Sequence, residues 1–311
     1  MPRVIATDTE DTIELGELLE RLKSEKFDPR DEDCFASWGE ALKKLSNNRS
    51  FLGDIVVEEL KSHCENQVRG NSYSAQVILL NKSDNFIIRA NFWPALHDSV
   101  VVNSGTSPFF YGLTHDHNFS FLTAGYFGPG YWSEYYEYDY EDVVGHVGER
   151  VDLRFVERSK LDLGKVMLYR AHRDVHSQLP ADEMSISLNI VEISHSVPFR
   201  DQYQFDVATS SINSIISVLS LEQLLPISAH IGGDAGADLL ESFAAGHPSD
   251  RVRFHALKAR ASALPDIDDR LRLFEGAARQ SNPYVSAMAR REAQRIEQGR
   301  EWLGGALRPA A

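Results

Sequence analysis

Residues 114–118 read Thr-His-Asp-His-Asn, between the aromatic runs SPFFYG and FSFLTAGYF. In an extended chain, side chains at i and i+2 point the same way, so His115 and His117 project together while Asp116 faces the other side. Two imidazoles on one face can share a metal ion, although a solvated loop could carry the same spacing without consequence. Roughly 60 residues on, GKVMLYRAHRDVHSQLPADEMSISLNI reads as a strand, a turn holding His172 and His176, and another strand. Either histidine, added to the pair, completes a facial set of three imidazoles. Such a set leaves positions open for substrate and for a small molecule such as dioxygen. The residues alone leave both candidates open.

The elements that must position these residues change period twice. From Thr12 to about Gly70 apolar residues recur at three and four, as in Ile13, Leu15, Leu18, Leu19 and Leu22, which predicts three short helices. Ser50 and Asp54 are the candidate caps of the third. From about Ser72 the period becomes two and the residues β-branched and aromatic, in SAQVILLNK, NFIIRANFW, DSVVVNS, FSFLTAGYF, YWSEYYEYDY, RVDLRFVER, KVMLYRA, SISLNIVEI and QYQFDV. Strands this short, separated by turns such as NKSDN and GPG with no intervening helices, favour an antiparallel sandwich or barrel. After Thr209 the pattern reads as helical again, beginning with SSINSIISVLSLEQLL. Val252 and Ala256 recur as Val285 and Ala289 at an offset of 33, each pair a few residues after a proline, Pro248 or Pro283. That is compatible with HEAT-like packing or with an ordinary helical bundle.

The chain of 311 residues is therefore expected to be α+β, with an N-terminal helical region (1–72), a central β-barrel (73–208) and a C-terminal helical region (209–311). A net charge of −14 with no offsetting Lys/Arg run argues against nucleic acid as a partner. Cys34 and Cys64 are too few for a disulfide framework and lack zinc spacing, so they read as reduced, structural thiols. With no apolar leader and no long apolar run, a cytoplasmic protein that does not engage a membrane is expected. No P-loop, no dinucleotide fingerprint and no G-x-S-x-G is present, which removes the usual support for nucleotide-dependent and serine-hydrolase chemistry. The remaining histidines, His63, His97, His146, His195, His230, His247 and His255, form no ligand-spaced pair and read as surface or core residues.

The H-x-H pair with one distant histidine resembles the cupin superfamily. In that family a second motif opens with a glycine about eleven residues ahead of its histidine, and Gly164 stands twelve ahead of His176. The resemblance, which spans about 73–208, thus favours His176 over His172 as third ligand and implies a double-stranded β-helix barrel. Typical cupins add a glutamate four or five residues after the second histidine; here those positions are Phe121 and Leu122, and Glu134 and Glu137 lie too far along to fill the gap without a long insertion. The missing carboxylate is similar to the three-histidine thiol dioxygenases of the cysteine dioxygenase type, which implies Fe(II) held by His115, His117 and His176. In those enzymes a strand arginine upstream of the pair binds the substrate carboxylate, a role that falls to Arg89 in NFIIRANFW; a surface arginine on an edge strand is the plainer reading.

The chain departs from those enzymes where they carry a Ser-x-His-x-Tyr strand: here it is Ser187-Leu-Asn189-Ile-Val191. A different substrate is implied, and Tyr126 or Tyr131 becomes the candidate phenol, with Tyr126 taken as catalytic. The resemblance implies a non-haem iron dioxygenase using dioxygen and a small carboxylate substrate. Within the same superfamily stand two other outcomes: an isomerase or lyase with another divalent metal, and a ligand-sensing interaction protein. Asp116 or a backbone carbonyl is expected to receive the ring N–H groups of the ligands. A homodimer or a protein partner through the C-terminal helices completes the expectation.

Overall fold

The computed structural model describes residues 1–194 and 200–306, with side chains through Arg300. His195 lies outside the described residues. The chain divides into two units. One comprises Met1–Tyr140 with Arg150–Ile216, and the other 141–149 with the C-terminal helices.

In the first unit, a short strand β1 (Arg3–Ile5) precedes five helices: α1 (Leu15–Ser24), α2 (Glu32–Ser37), α3 (Gly39–Asn47), α4 (Phe51–Lys61) and α5 (Glu65–Gly70). The expected three helices are thus broken into five. One break is set by Asp31, whose side chain accepts from Cys34 N and caps α2. At Ser50 the cap is borrowed, because Asn48 Oδ1 accepts from the backbone of Ser50 and Phe51.

The strands that follow are β2 (Val77–Lys82), β3 (Phe86–Trp93), β4 (Phe121–Phe127), β5 (Tyr131–Glu137), β6 (Arg154–Leu161), β7 (Val166–Tyr169), β8 (Asp174–Gln178), β9 (Ser185–Glu192), β10 (Tyr203–Asp206) and β11 (Ser211–Ile215). Five of them join β1 in one antiparallel sheet in the order β1-β7-β4-β9-β3-β2. Two smaller ladders, β6-β5-β8 and β10-β11, are linked through the segment around His115, which bridges to His176 on β8 and to Gln204 on β10.

The large sheet is covered on both faces. Ile88, Ala90, Leu122, Ala124, Leu188 and Ile190 pack against Leu18, Phe35, Leu42, Leu45 and Phe51 of the helices. The opposite side chains, including Trp93, Phe121 and Tyr169, meet Tyr131, Tyr135 and Leu161 of the second sheet. The result is a helical layer and two sheets, not the closed barrel expected from the sequence. Closure fails because the ladders end: β1 is three residues long, β2 is paired only with β3, and the outer half of β6 is exposed.

Two local expectations are also corrected. DSVVVNS forms not a strand but a helix, α6 (Ser99–Ser104), in which only Val101 is buried. SINSI is β11, paired with β10 across a register shift, and the sheet-containing unit runs on to Ile216. In the second unit, α7 (Ser220–Ile231), α8 (Gly233–Gly246), α9 (Asp250–Ala263), α10 (Ile267–Ala278) and α11 (Pro283–Ala306) follow. Val252, Ala256, Val285 and Ala289 are all buried in it. No helix among the described residues is long and apolar enough to cross a membrane.

Candidate metal centre

Segment 114–118 is extended but belongs to no regular strand. His115 and His176 exchange backbone hydrogen bonds of 3.0 and 2.9 Å, and Asp116 N donates to Tyr203 O at 3.2 Å. Between the two histidines, the fully buried Asp116 side chain points away from them. It accepts from Tyr138 Oη–H at 2.6 Å and from Tyr203 N–H at 2.6 Å. With Asp116 pinned on one side, the alternation of the extended chain delivers His115 and His117 to the other. His176 arrives from β8, a strand where the sequence suggested a turn.

The ligand atoms of His115, His117 and His176 all lie within 4.8 Å of one another, the one such group among the described residues. His117 Nε2 and His176 Nε2 are 3.0 Å apart, the spacing of two adjacent ligands at about 2.1 Å from one ion. Each Nδ1 is engaged elsewhere. His115 Nδ1 donates to Leu113 O at 2.8 Å, His176 Nδ1 lies 2.9 Å from the Gln178 amide, and His117 Nδ1 lies 3.4 Å from the Gln202 amide. Gln178 Oε1 is buried without a partner; with the amide turned to place that oxygen on the ring, 2.9 Å from Nδ1 and 3.2 Å from Nε2, it accepts the proton of the nearer Nδ1. The carbonyl that was expected to fix a tautomer does so at His115, while Asp116 does not.

Burial holds all three imidazoles below their ordinary pKa, His117 and His176 well below; the neighbouring rings lower both further, and the Arg89 cation lowers His117 as well. Neutral imidazoles with free Nε2 atoms are what a divalent ion requires, so the residues present fit a metal.

The cluster lines a cavity of about 380 Å³. Arg89 lies in its wall, 9% exposed, with its guanidinium 4.8 Å from the centre of the Tyr73 ring. Its burial lowers its pKa, its Nε–H has no partner, and among the described residues it forms no ion pair. It is not a surface arginine on an edge strand, because β3 is paired on both sides. Tyr131 also lines the cavity, its ring centre 4.2 Å from that of Trp93 and tilted by 33° to it.

Tyr126, by contrast, is not brought to the cavity. It lies on the helix-facing side of β4, donates to Arg49 O at 3.0 Å and packs edge-on against Phe51. His172 stays outside the cluster, in a turn at φ 59°, with its ring 4.0 Å from that of Tyr140. Its N–H donates to His117 O at 2.8 Å, so it braces the ligand segment through its backbone. Glu134 accepts from Tyr136, and Glu137 meets Arg170 and the N-terminus, so neither replaces the missing carboxylate. Gln178 and Gln202 escaped the sequence reading. Gln178 carried a signal all the same, standing two residues after His176 and hence on the same face of β8.

No protein-family model and no curated protein matches the chain. Among solved structures it is similar to hydroquinone 1,2-dioxygenase from Sphingomonas sp. TTNP3, at 11% identity over 41% of this chain and 71% of that one, with a TM-score of 0.27. It is similar to salicylate 1,2-dioxygenase from Pseudaminobacter salicylatoxidans, at 10% identity over 45% and 33%, with a TM-score of 0.25. A cupin domain from Bordetella pertussis Tohama I matches at 11% identity over 39% and 96%, with a TM-score of 0.23. Likenesses this loose assign nothing by themselves, and the site stands on its own geometry. The three-histidine cluster that the cupin resemblance implies is present in this chain.

Proposed function

We propose that the chain is a metal-dependent, cupin-like oxygenase: a non-haem iron(II) dioxygenase acting on a small carboxylate-bearing substrate. The observation that carries the reading is the convergence of three neutral imidazoles in a cavity that also holds a buried arginine with no acid partner among the described residues. When bound, iron(II) would supply a Lewis-acidic, redox-active centre with open positions for substrate and dioxygen. His115, His117 and His176 would hold it, and the absence of a carboxylate ligand leaves its charge undiminished toward an anion.

The rest of the work falls to the chain's own groups. Arg89 Nε–H donates to the substrate carboxylate and fixes its orientation. Leu113 O and Gln178 keep the ring protons of His115 and His176 on Nδ1, so that their metal-facing nitrogens stay bare, while the Gln202 amide donates to Asp116 O and braces the ligand segment. Trp93, Phe121 and Tyr169 keep bulk water from the cavity wall. Tyr131, whose phenol burial pushes well above its ordinary pKa, remains a protonated donor.

The test is metal analysis of anaerobically purified protein, followed by oxygen-electrode traces with small thiols, hydroxy acids and aromatic acids. About one iron per chain and oxygen uptake that Arg89→Met suppresses are expected. Bound zinc, manganese or nickel with no oxygen consumption would move the reading to an isomerase or lyase. Failure to take up any metal on reconstitution would end it.

A further inference from the structure

Arg89 is not alone in the cavity wall. Directly opposite it in the β3–β9 register stands Asn189, and two residues further along β3, on the same face, stands Asn91. Both asparagines line the cavity, at 2% and 9% exposure, and in both the amide oxygen Oδ1 is buried without a hydrogen-bond partner. Three polar side chains, each nine-tenths or more buried, therefore carry one unmet donor and two unmet acceptors along two paired strands in the wall of one cavity. Buried polar atoms are satisfied as a rule, and a group of exceptions among the residues that line one cavity marks what the cavity is built to receive.

The unmet donor, Arg89 Nε–H, calls for an anionic oxygen. The unmet acceptors call for a ligand that donates. An ammonium would donate, but no Asp or Glu lines the cavity, and the nearest fixed charge is the Arg89 cation, which repels it. A thiol donates weakly. A hydroxyl donates without charge. The body of the ligand must then pack on Trp93, Phe119, Phe121 and Tyr131, which are apolar walls.

We infer that Asn91 and Asn189, beside Arg89, form a subsite for a hydroxyl next to a carboxylate, so that the chain takes a 2-hydroxy acid with an apolar body and not an amino acid. The inference rests on the carboxylate-substrate reading given above and names the class within it. It also gives Asn189 a task at the position where the strand departs from Ser-x-His-x-Tyr.

Calorimetric titration tests it with three ligands of one skeleton: 3-phenyllactate, 3-phenylpropionate and phenylalanine. Each is titrated into the chain stripped of metal and into the chain reloaded with zinc(II). The metal-free titration isolates the asparagines, because a 2-hydroxy acid could otherwise gain affinity by chelation. In the metal-free chain phenyllactate should bind about tenfold more tightly than phenylpropionate, and phenylalanine more weakly than either. Asn189→Leu should erase most of the tenfold preference and Asn91→Leu part of it, with thermal unfolding used to confirm that each variant is folded. If one leucine variant does not fold, the other carries the test. Asn189→Asp, of the same shape but charged, should raise phenylalanine affinity relative to phenyllactate. Equal binding of phenyllactate and phenylpropionate, tightest binding of phenylalanine, a preference that survives both leucine variants, or no binding of any of the three would overturn the inference. Oxygen consumption is scored separately with iron(II)-loaded protein, so that a hydroxyl preference without oxygen uptake would remove the oxygenase reading and leave the subsite.

Discussion

Replacing Asp116 should damage the metal centre without touching a ligand, because Asp116 is what turns its two histidine neighbours inward. Its carboxylate is fully buried and accepts two short hydrogen bonds, from Tyr138 Oη–H and Tyr203 N–H, each 2.6 Å. Burial, and next the carboxylate itself, push the Tyr138 phenol far above its ordinary pKa, so it remains a donor. Asp116→Ala strands both donors in the interior. At about 1–3 kcal/mol for each buried group left unmade, the loss is about 4 kcal/mol. For a unit of about two hundred residues that corresponds to a fall of about 8–16 °C in the unfolding midpoint. Asp116→Asn should cost less, since Oδ1 can still serve Tyr203 N–H, while the Tyr138 hydroxyl can turn and accept from Nδ2. Tyr138→Phe removes one donor and leaves the carboxylate with the other, for about 1–3 kcal/mol. In all three the ligand segment loosens, and metal affinity should fall roughly 10- to 100-fold in the alanine variant and less in the others. Near-UV circular dichroism on heating gives the midpoint, and competition with a chromophoric chelator gives the affinity. An alanine variant that melts within about 2 °C of the parent and binds metal equally well would refute the strut. So would asparagine and alanine variants of equal effect.

His176→Ala should abolish stoichiometric metal uptake, whereas His172→Ala should leave it largely intact, since the His172 ring lies outside the cluster; elemental analysis after dialysis separates the two, and the reverse result would reassign the third ligand. Gln178→Leu keeps the shape but removes the group that holds the His176 Nδ1 proton, so metal should bind about tenfold more weakly, with Gln178→Glu restoring an acceptor and most of the affinity. Gly125→Ala should lower the unfolding midpoint by several degrees, about 1–3 kcal/mol, because a Cβ there would stand 2.1 Å from the Asp162 carbonyl oxygen in the backbone.

How much of this was legible in the residues can be judged from single strands. The pairing of His115 with His117 was readable because an extended chain of any kind alternates, and it holds although the segment is no regular strand. The residues alone left the third ligand open, and the glycine register of the cupin resemblance favoured His176; what turns it inward is β8 pairing with β5 on one side and with His115 on the other. Tyr126 was misplaced for a different reason. FSFLTAGYF shows no alternation of polar and apolar residues because β4 is buried on both faces, and in such a strand the sequence hides which side chains share a side. Position 126 has the parity of Leu122 and Ala124, which meet the helices; Phe121 has the parity of the cavity. In β9 the alternation is plain and its ordinary meaning is inverted. Ser185, Ser187 and Asn189 form the polar stripe that would normally face water, yet each is at most 2% exposed. The apolar stripe, Leu188 and Ile190, is taken up by helices drawn from residues 15–61, an assignment no local pattern displays. Once those helices cover the apolar face, the polar face has only the second sheet to meet, and a polar stripe enclosed between two sheets must line a site or leave its hydrogen bonds unmade. The same reasoning places Arg89 and Asn91 in the cavity wall, which decides against the surface reading of Arg89. The sequence thus carried the chemistry of the site, and what it lacked was the knowledge of which layer closes over which face.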